Sequence, residues 1–297
     1  MVDNFYIHKK VTILIVTFKS HNIIEKCLDN INKKFNIILI ENSDDTEFTS
    51  NLEKKYNNLR CLNIGYDSGF GYALNRGAEL VETDYFIAMN PDTFPENDCL
   101  EQIIQTAENN EDVVMVTPLT LLKGNTREFS AYGYFKKKKL VKNSTNTLEV
   151  DWVNGNIFLM KKKTFVDLEG FDEKIFIEYD ERELQRRIYL INKKILIDFN
   201  AKSQHLDGKS ADNKFAFQMK CERSWHNAWS GYYYYKKHFG ILNALYKCLP
   251  SALVSFLKYI YFSINHEGKK RKIYKLFFLG FLNSLFNRKS SYRAEID

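Results

Sequence analysis

Between residues 11 and 89, short apolar runs alternate with stretches of helical spacing. This alternation constrains the fold more than any other feature of the chain. The runs are 11–18 (VTILIVTF), 36–40 (NIILI), 59–64 and 85–89 (YFIAM). Strands that face water on one side alternate apolar and polar residues, whereas these are nearly continuous. They predict a parallel sheet covered on both faces. The intervening stretches 21–33, 46–56 and 68–81 predict helices, the first with Ile24, Leu28 and Ile31 on one face. The fold class expected is α/β, of the nucleotide-binding type. Further on, 113–116 predicts a strand, 152–160 a strand around a turn, 180–191 a charged helix and 194–198 a short strand. Residues 120–150, with Lys136–Lys139, read as hairpins or loops.

With 44% hydrophobic and 27% charged residues over 297 positions, the chain can bury a sizeable core and is not globally disordered. No stretch reaches the ~18 unbroken apolar residues of a spanning helix, so a polytopic membrane protein is not expected. The five cysteines are scattered and lack C-x-x-C spacing, which argues against a zinc ribbon or disulfide framework and for a reducing cytoplasm. No long apolar segment of the signal-peptide type follows MVDNFYIHKK. The net charge of +6 favours anionic partners. No nucleic-acid reading motif accompanies it, and none is expected to bind.

The last sixty residues differ in character. Apolar stretch 249–264 is interrupted by Lys258, and 273–286 by Lys275 and Asn283. Between them lies the basic turn 268–272 (GKKRK). Two readings are open: a peripheral contact with the inner membrane leaflet through 249–286, or a helical pair docked on the main domain with a solvated basic turn.

Five segments hold residues suited to chemistry. Asp92, in Asn90-Pro91-Asp92 after the fourth strand, lies where open α/β sheets bind ligands. It reads as a carboxylate for Mg²⁺ or Mn²⁺, or as a plain Asn-Pro-Asp turn. Residues 63–77 (NIGYDSGFGYALNRG) open a helix behind several glycines. Such a turn lets backbone N–H groups approach an anion or a sugar, or makes a tight connection. Glu41-Asn42-Ser43-Asp44 follows the second strand, where an acidic side chain can accept from a base or ribose, or where Ser43 or Asp44 caps a helix. Residues 171–184 (FDEKIFIEYDEREL) crowd six carboxylates. These suit a general base tuned by its neighbours, or an acidic helix start. His205 and Lys209, in HLDGKS, suit phosphate or metal contact, or a structural histidine.

In this order and spacing, the segments resemble bacterial glycosyltransferase family 2, and within it the rhamnosyltransferase-type branch. Thr17-Phe18, Glu41-Asn42-Ser43, Asn63–Gly77, Met89-Asn90-Pro91-Asp92, Asp151-Trp152-Val153-Asn154-Gly155, Phe171–Arg187, His205–Ser210 and Lys237–Gly240 carry the resemblance, over roughly residues 10–240. It implies a GT-A fold: a mixed, mainly parallel sheet flanked by helices, with a nucleotide-sugar half (about 1–117), an acceptor half (about 118–240) and a C-terminal helical extension (241–297). It implies a metal-dependent inverting transfer from a nucleotide diphosphate sugar (dTDP- or UDP-linked, with rhamnose a candidate) to a glycan or lipid-linked acceptor in cell-surface polysaccharide or lipopolysaccharide synthesis.

The residue roles follow from the same resemblance. Asp92 and His205 hold Mg²⁺ or Mn²⁺, and His205 and Lys209 lie against the diphosphate. Thr17, Glu41 and Asn75 line the nucleoside pocket, and Phe18, Asn42 and Gly65 also bind the donor. Trp152, Asn154 and Gly155 lie near the donor sugar and acceptor. Glu181 is the base, with Asp180 its rival. Two departures stand out: Glu41 replaces an Asp, and the Glu-Asp pair of the family appears as Asp180-Glu181. The second departure leaves a non-catalytic nucleotide-sugar-binding or assembly subunit as the alternative.

Overall fold

A computed structural model of the chain describes residues 7–122, 132–133, 146–206 and 213–294. The chain packs as two compact units. The first comprises residues 1–68, 72–171 and 184–212, the second residues 69–71, 172–183 and 213–297. Residues 213–240, expected with the catalytic domain, thus pack with the C-terminal extension.

The first unit is built on a nine-stranded sheet. Its elements are β1 (Val11–Thr17), α1 (His21–Asp29), β2 (Asn36–Glu41), α2 (Thr46–Lys55), β3 (Leu59–Asn63), α3 (Phe70–Glu79) and β4 (Tyr85–Met89). They continue with β5 (Thr93–Pro95), α4 (Cys99–Glu108), β6 (Val113–Leu122), β7 (Tyr132–Gly133), β8 (Thr147–Val150), β9 (Trp152–Val153), β10 (Ile157–Lys161), α5 (Lys162–Asp167), α6 (Asp180–Leu190, whose residues up to Glu183 belong to the second unit) and β11 (Lys194–His205). The strand order is β3-β2-β1-β4-β10-β6-β11-β5, with β8 also on β11, while β7 and β9 form a separate pair. The first four strands are parallel, and β10 runs antiparallel between β4 and β6. The fully apolar strands are those buried on both faces: every residue of β4 is buried, as are Ile13, Leu14 and Ile15 of β1. Removing such side chains from water is the main stabilising term, at about 25 cal/mol per Å².

The parallel alternation is legible in the sequence, but several lengths differ. Helix α1 stops at Asp29 rather than 33, and α3 begins at Phe70 because Gly69 sits at φ +85 just before it. The strand expected over 194–198 runs on to His205 through a register shift between Asp198 and Lys202. This shift lets one strand pair with β8 through its first half and with β5 through its end. Strand β5 and helices α4 and α5 had no expectation attached. The Lys136–Lys139 run and most of 120–150 lie outside the described residues.

The second unit centres on α7 (Ala216–Ile264) and α8 (Gly268–Leu285). Helix α7 is two helices meeting at Gly240, whose φ 82 and ψ 168 are non-helical. Its first part buries Trp225, Trp229, Tyr232 and Tyr234. Its second part packs on α8, the two sharing a core of Ala244, Ala252 and Phe281 with Phe277, Phe278 and Leu282 against it. Gly280 is required there, since a Cβ at that position would lie 2.1 Å from the Trp225 carbonyl oxygen. Among the described residues one helix, α7, is long and apolar enough by length and composition to cross a membrane.

Candidate functional site

The parallel register sets the first group of side chains. Thr17 ends β1, Glu41 ends β2 and Asn63 ends β3, and the register pairs Thr17 with Glu41 and Glu41 with Asn63. These are carboxyl ends of parallel strands, where α/β sheets bind ligands. The Thr17 hydroxyl donates to Glu41 Oε2 at 2.7 Å and Ser43 donates to Oε1 at 2.5 Å. Burial raises the Glu41 carboxyl above its ordinary range, while the two hydroxyls pull it back. Each carboxylate oxygen has two acceptor positions, so Glu41 can still accept from a base or ribose. The longer side chain is accommodated by being tied at both oxygens.

Asn42 is turned towards the glycine-rich loop. Its Oδ1 accepts from the Ser68 N–H (3.1 Å) and hydroxyl (2.6 Å), and its amide donates to Asp67 (3.3 Å). Asn42 therefore holds the loop in which Gly65 takes φ +82, a conformation that side chains resist. Phe18 is half-buried beside Ser20, which accepts from its N–H. Asn75 is tied to the backbone of the next segment. Its amide donates to the Phe171 carbonyl (3.0 Å) and accepts from the Phe171 N–H (2.8 Å). That two-way bond holds the chain entering the 171–184 segment.

The second group surrounds Asp92. Three residues beyond β4 the chain turns, and β5 pairs antiparallel with the end of β11, placing Thr93 opposite His205. The Leu206 N–H donates to the Asp92 carbonyl at 3.0 Å. His205 Nε2 thereby lies 3.2 Å from Asp92 Oδ1, with Asp92 fully buried and His205 7% exposed. Asn156 holds this turn: its carbonyl accepts from the Asn90 N–H (2.9 Å) and the Thr93 hydroxyl (3.2 Å), and its amide donates to Thr120 (3.1 Å). Nothing in the sequence singled out Asn156, because its contacts are made across three strands. Lys209 lies outside the described residues.

A buried carboxylate oxygen and an imidazole nitrogen within hydrogen-bonding distance form a donor pair suited to Mg²⁺ or Mn²⁺. Among the described residues no three His, Cys, Asp or Glu side chains cluster as a metal cage. Two protein donors would leave the rest of such an ion's coordination to diphosphate oxygens and water. The residues present fit an ion that is shared with a phosphate ligand.

Near β9 and β10, Trp152 and Asn154 are half-buried and Gly155 is buried. Gln185 on α6 fixes this stretch, accepting from the Val153 N–H (2.5 Å) and donating to its carbonyl (3.0 Å).

The carboxylate-rich segment belongs to the second unit. Glu178 and Tyr179 both take left-handed backbone (φ 63 and 67) immediately before α6. Two non-glycine residues in that region cost ~1–3 kcal/mol each, and such strain persists only where the surroundings impose it. Here Arg223 and Asn227 hold Glu178, while Tyr179 packs against Gly231 and the Tyr234 ring. The corner delivers Asp180 buried at the start of α6 and Glu181 half-buried beside it. Burial, then the charge of Glu181 and a hydrogen bond to it, push the Asp180 carboxyl well above the usual range. The protonated form of Asp180 is thereby favoured beyond that of an ordinary aspartate.

The Lys237–Gly240 motif acquires a role here. Lys237 lies 2.6 Å from both Asp172 and the fully buried Glu183, and His238 lies 3.2 Å from Glu183. Tyr233 also donates to Asp172 (2.8 Å). Burial raises the Asp172 carboxyl, but Lys237, the Lys174 N–H and Tyr233 outweigh it and hold it below the usual range. Lys237 is raised: burial opposes its charge, and the two carboxylates more than compensate. For the depressed carboxyl, stability is lost only as pH falls through its folded pKa; for the raised amine, only as pH rises through its own. The network therefore stabilises the unit across about pH 4–10. We expect Lys237→Met to cost roughly 2–3 kcal/mol, less than the ~3–5 of a fully buried pair because Lys237 is a third exposed. The shift of the urea midpoint at neutral pH measures it.

A family model described as Glycosyl transferase family 2 matches residues 12–165, more than half of the chain. The chain belongs to glycosyl transferase family 2. It is 25% identical over 207 residues to the rhamnosyltransferase WbbL of Escherichia coli K12, covering 61% of this chain and 77% of WbbL. Among solved structures, the mannosyltransferase PcManGT from Pyrobaculum calidifontis, in complex with GDP-Man and Mn²⁺, superposes with TM-score 0.56 at 12% identity. That match covers 94% of this chain and 87% of the mannosyltransferase. GalNAc-T7 with UDP, GalNAc and Mn²⁺ gives TM-score 0.56 at 12% identity over 77% of this chain, which spans only half of the GalNAc-T7 chain. S. aureus TarS 1-349 gives TM-score 0.53 at 9% identity, covering 96% of this chain and 93% of the TarS chain. The fold is GT-A, and the protein is a glycosyltransferase similar to the rhamnosyltransferases of the family.

Proposed function

We propose that the protein transfers a sugar, with rhamnose the first candidate, from a nucleotide diphosphate sugar (dTDP- or UDP-linked) to a glycan or lipid-linked acceptor. The reaction proceeds with inversion, at the cytoplasmic side of cell-surface polysaccharide or lipopolysaccharide assembly. The observation that carries this reading is the buried Asp92–His205 pair at the carboxyl end of the sheet. Asp92 and His205 would hold Mg²⁺ or Mn²⁺, which supplies positive charge for the diphosphate leaving group when bound. Thr17, Glu41 and Asn42 serve the nucleoside, and Trp152, Asn154 and Gly155 the sugar and acceptor. Glu181 takes the proton of the acceptor hydroxyl as that oxygen bonds to the anomeric carbon and the bond to the diphosphate breaks. Asp180, protonated, donates to the Glu181 carboxylate and keeps it aimed.

A melting-temperature screen of UDP, dTDP and GDP and their sugars, with and without Mn²⁺, tests the donor side. A ligand at 100 times its Kd stabilises the folded state by about 2.7 kcal/mol, which amounts to several degrees. We expect one base to be preferred and the shift to need Mn²⁺. No shift with any nucleotide would overturn the reading.

A further inference from the structure

We infer that the second part of α7, residues 241–264, together with the basic start of α8 docks in the plane of an anionic lipid surface. The structure narrows and shifts the contact expected over 249–286. The apolar face of α8 is used internally: Leu276 and Phe281 are buried, and the Phe278 ring packs tilted against Phe256 with centroids 4.8 Å apart. The outer face of 241–264 is not.

Residues 241–264 have inverted amphipathicity. The fully buried positions are small, namely Ala244, Ala252 and Ser255, with Leu245 and Cys248 partly buried beside them. The exposed ones are large and apolar: Leu242, Tyr246, Leu249, Leu253, Leu257 and Ile260, with Leu242 at 83% and Tyr246 at 76% exposure. Their spacing of three and four residues makes one continuous stripe. Exposed Val254 and Tyr261 widen it beyond the narrow seam that pairs two helices in a coiled coil. A stripe of this kind on a soluble surface marks an interaction site.

Charge identifies the occupant. Residues 241–297 carry ten Lys and Arg and three acidic residues. The whole positive excess of the chain therefore lies in this segment, and the first 240 residues are close to neutral. From 241 to 294 the sole acidic residue is Glu267, and it is paired with Lys270 at 2.6 Å. Lys269, Lys270, Arg271, Lys272 and Lys275 are exposed just beyond the end of the stripe. An apolar face with a basic rim and almost no acidic residues suits an interface helix on anionic headgroups. Lys247 and Lys258 lie on the flank of the helix, where long side chains reach headgroups while their stems stay among lipid tails.

The test is co-sedimentation of the full chain with phosphatidylcholine vesicles, with and without phosphatidylglycerol. We expect binding that requires phosphatidylglycerol and weakens as salt is raised. Leu249→Glu with Leu253→Glu should reduce binding about a hundredfold or more, since it removes apolar contact and adds repulsion. Lys269→Gln with Arg271→Gln should reduce it about tenfold or more, at roughly fivefold per charge. Both pairs lie on exposed positions and should keep the melting temperature of the parent. Absence of vesicle binding would overturn the inference. So would resistance to alkaline carbonate extraction, which indicates a span. A dimer that the Leu249/Leu253 pair converts to monomer without changing vesicle binding would assign the face to a second copy. The readout uses no donor, so its failure leaves the transferase reading intact, and failure of that reading leaves this one intact.

Discussion

Glu181→Gln lowers turnover by about 10²–10⁴-fold while leaving the Mn²⁺-dependent nucleotide shift unchanged. This is the expected result if Glu181 is the base. A correctly placed base contributes about that factor, and glutamine keeps the shape while losing the capacity to take a proton. The environment of the pair sharpens the expectation. Burial and the charge of Glu181 push the Asp180 carboxyl upward, which favours its protonated form. Asp180→Asn retains a donor towards Glu181 and should cost far less. The reverse order, with Asp180→Asn abolishing turnover and Glu181→Gln tolerated, would make Asp180 the base. The pH profile gives a second check: a carboxyl raised by burial and a like charge is destabilised when ionised. Stability contributed by protonated Asp180 is thus present below its unfolded value and declines as pH rises through its folded one. Asp180→Asn should flatten that decline in a melting-temperature series.

Asp92→Ala should remove the Mn²⁺ dependence of nucleotide binding and reduce turnover by about 10³-fold. A bound divalent ion is worth several kcal/mol of charge stabilisation on a leaving diphosphate, and 1.36 kcal/mol corresponds to a factor of ten. His205→Ala should act in the same direction with a smaller loss, because the carboxylate supplies the charge. Titration of Mn²⁺ against nucleotide binding in each variant measures this directly. Parent-like Mn²⁺ dependence in Asp92→Ala would remove the ion from this site. Asn156→Ala would separate placement from ligation: it leaves both donors in place but removes the Thr120 bond to the turn.

The sequence was informative where the chemistry is local. Continuous apolar runs gave the parallel strands, and the strand ends gave Thr17, Glu41 and Asp92. The partnership of Asp92 with His205 needed strand β5 and a β11 twelve residues long, and neither announces itself. A three-residue strand has no period to read, and the register shift after Asp198 hides the continuation of β11. The bond of Asn75 to the Phe171 backbone, 96 positions away, is likewise invisible in the glycine-rich motif that holds this residue. The first part of α7 was illegible because polar Glu222, His226 and Ser230 are buried alongside Trp225, Trp229 and Tyr232, which blurs the helical period that exposed Lys220, Arg223 and Asn227 would otherwise mark.

Gly240 has a consequence for how the long helix can vary. Its backbone breaks the screw of the helix, so the angular phase of residues up to 239 is not transmitted to those after 240. The upstream half keeps Lys237 and His238 on Asp172 and Glu183. The downstream half packs its small residues on α8, which also rests on Trp225 and Tyr232 of the upstream half. Substitution along the outer stripe therefore leaves the carboxylates at the head of α6 in place, whereas an insertion after the joint is felt there through α8.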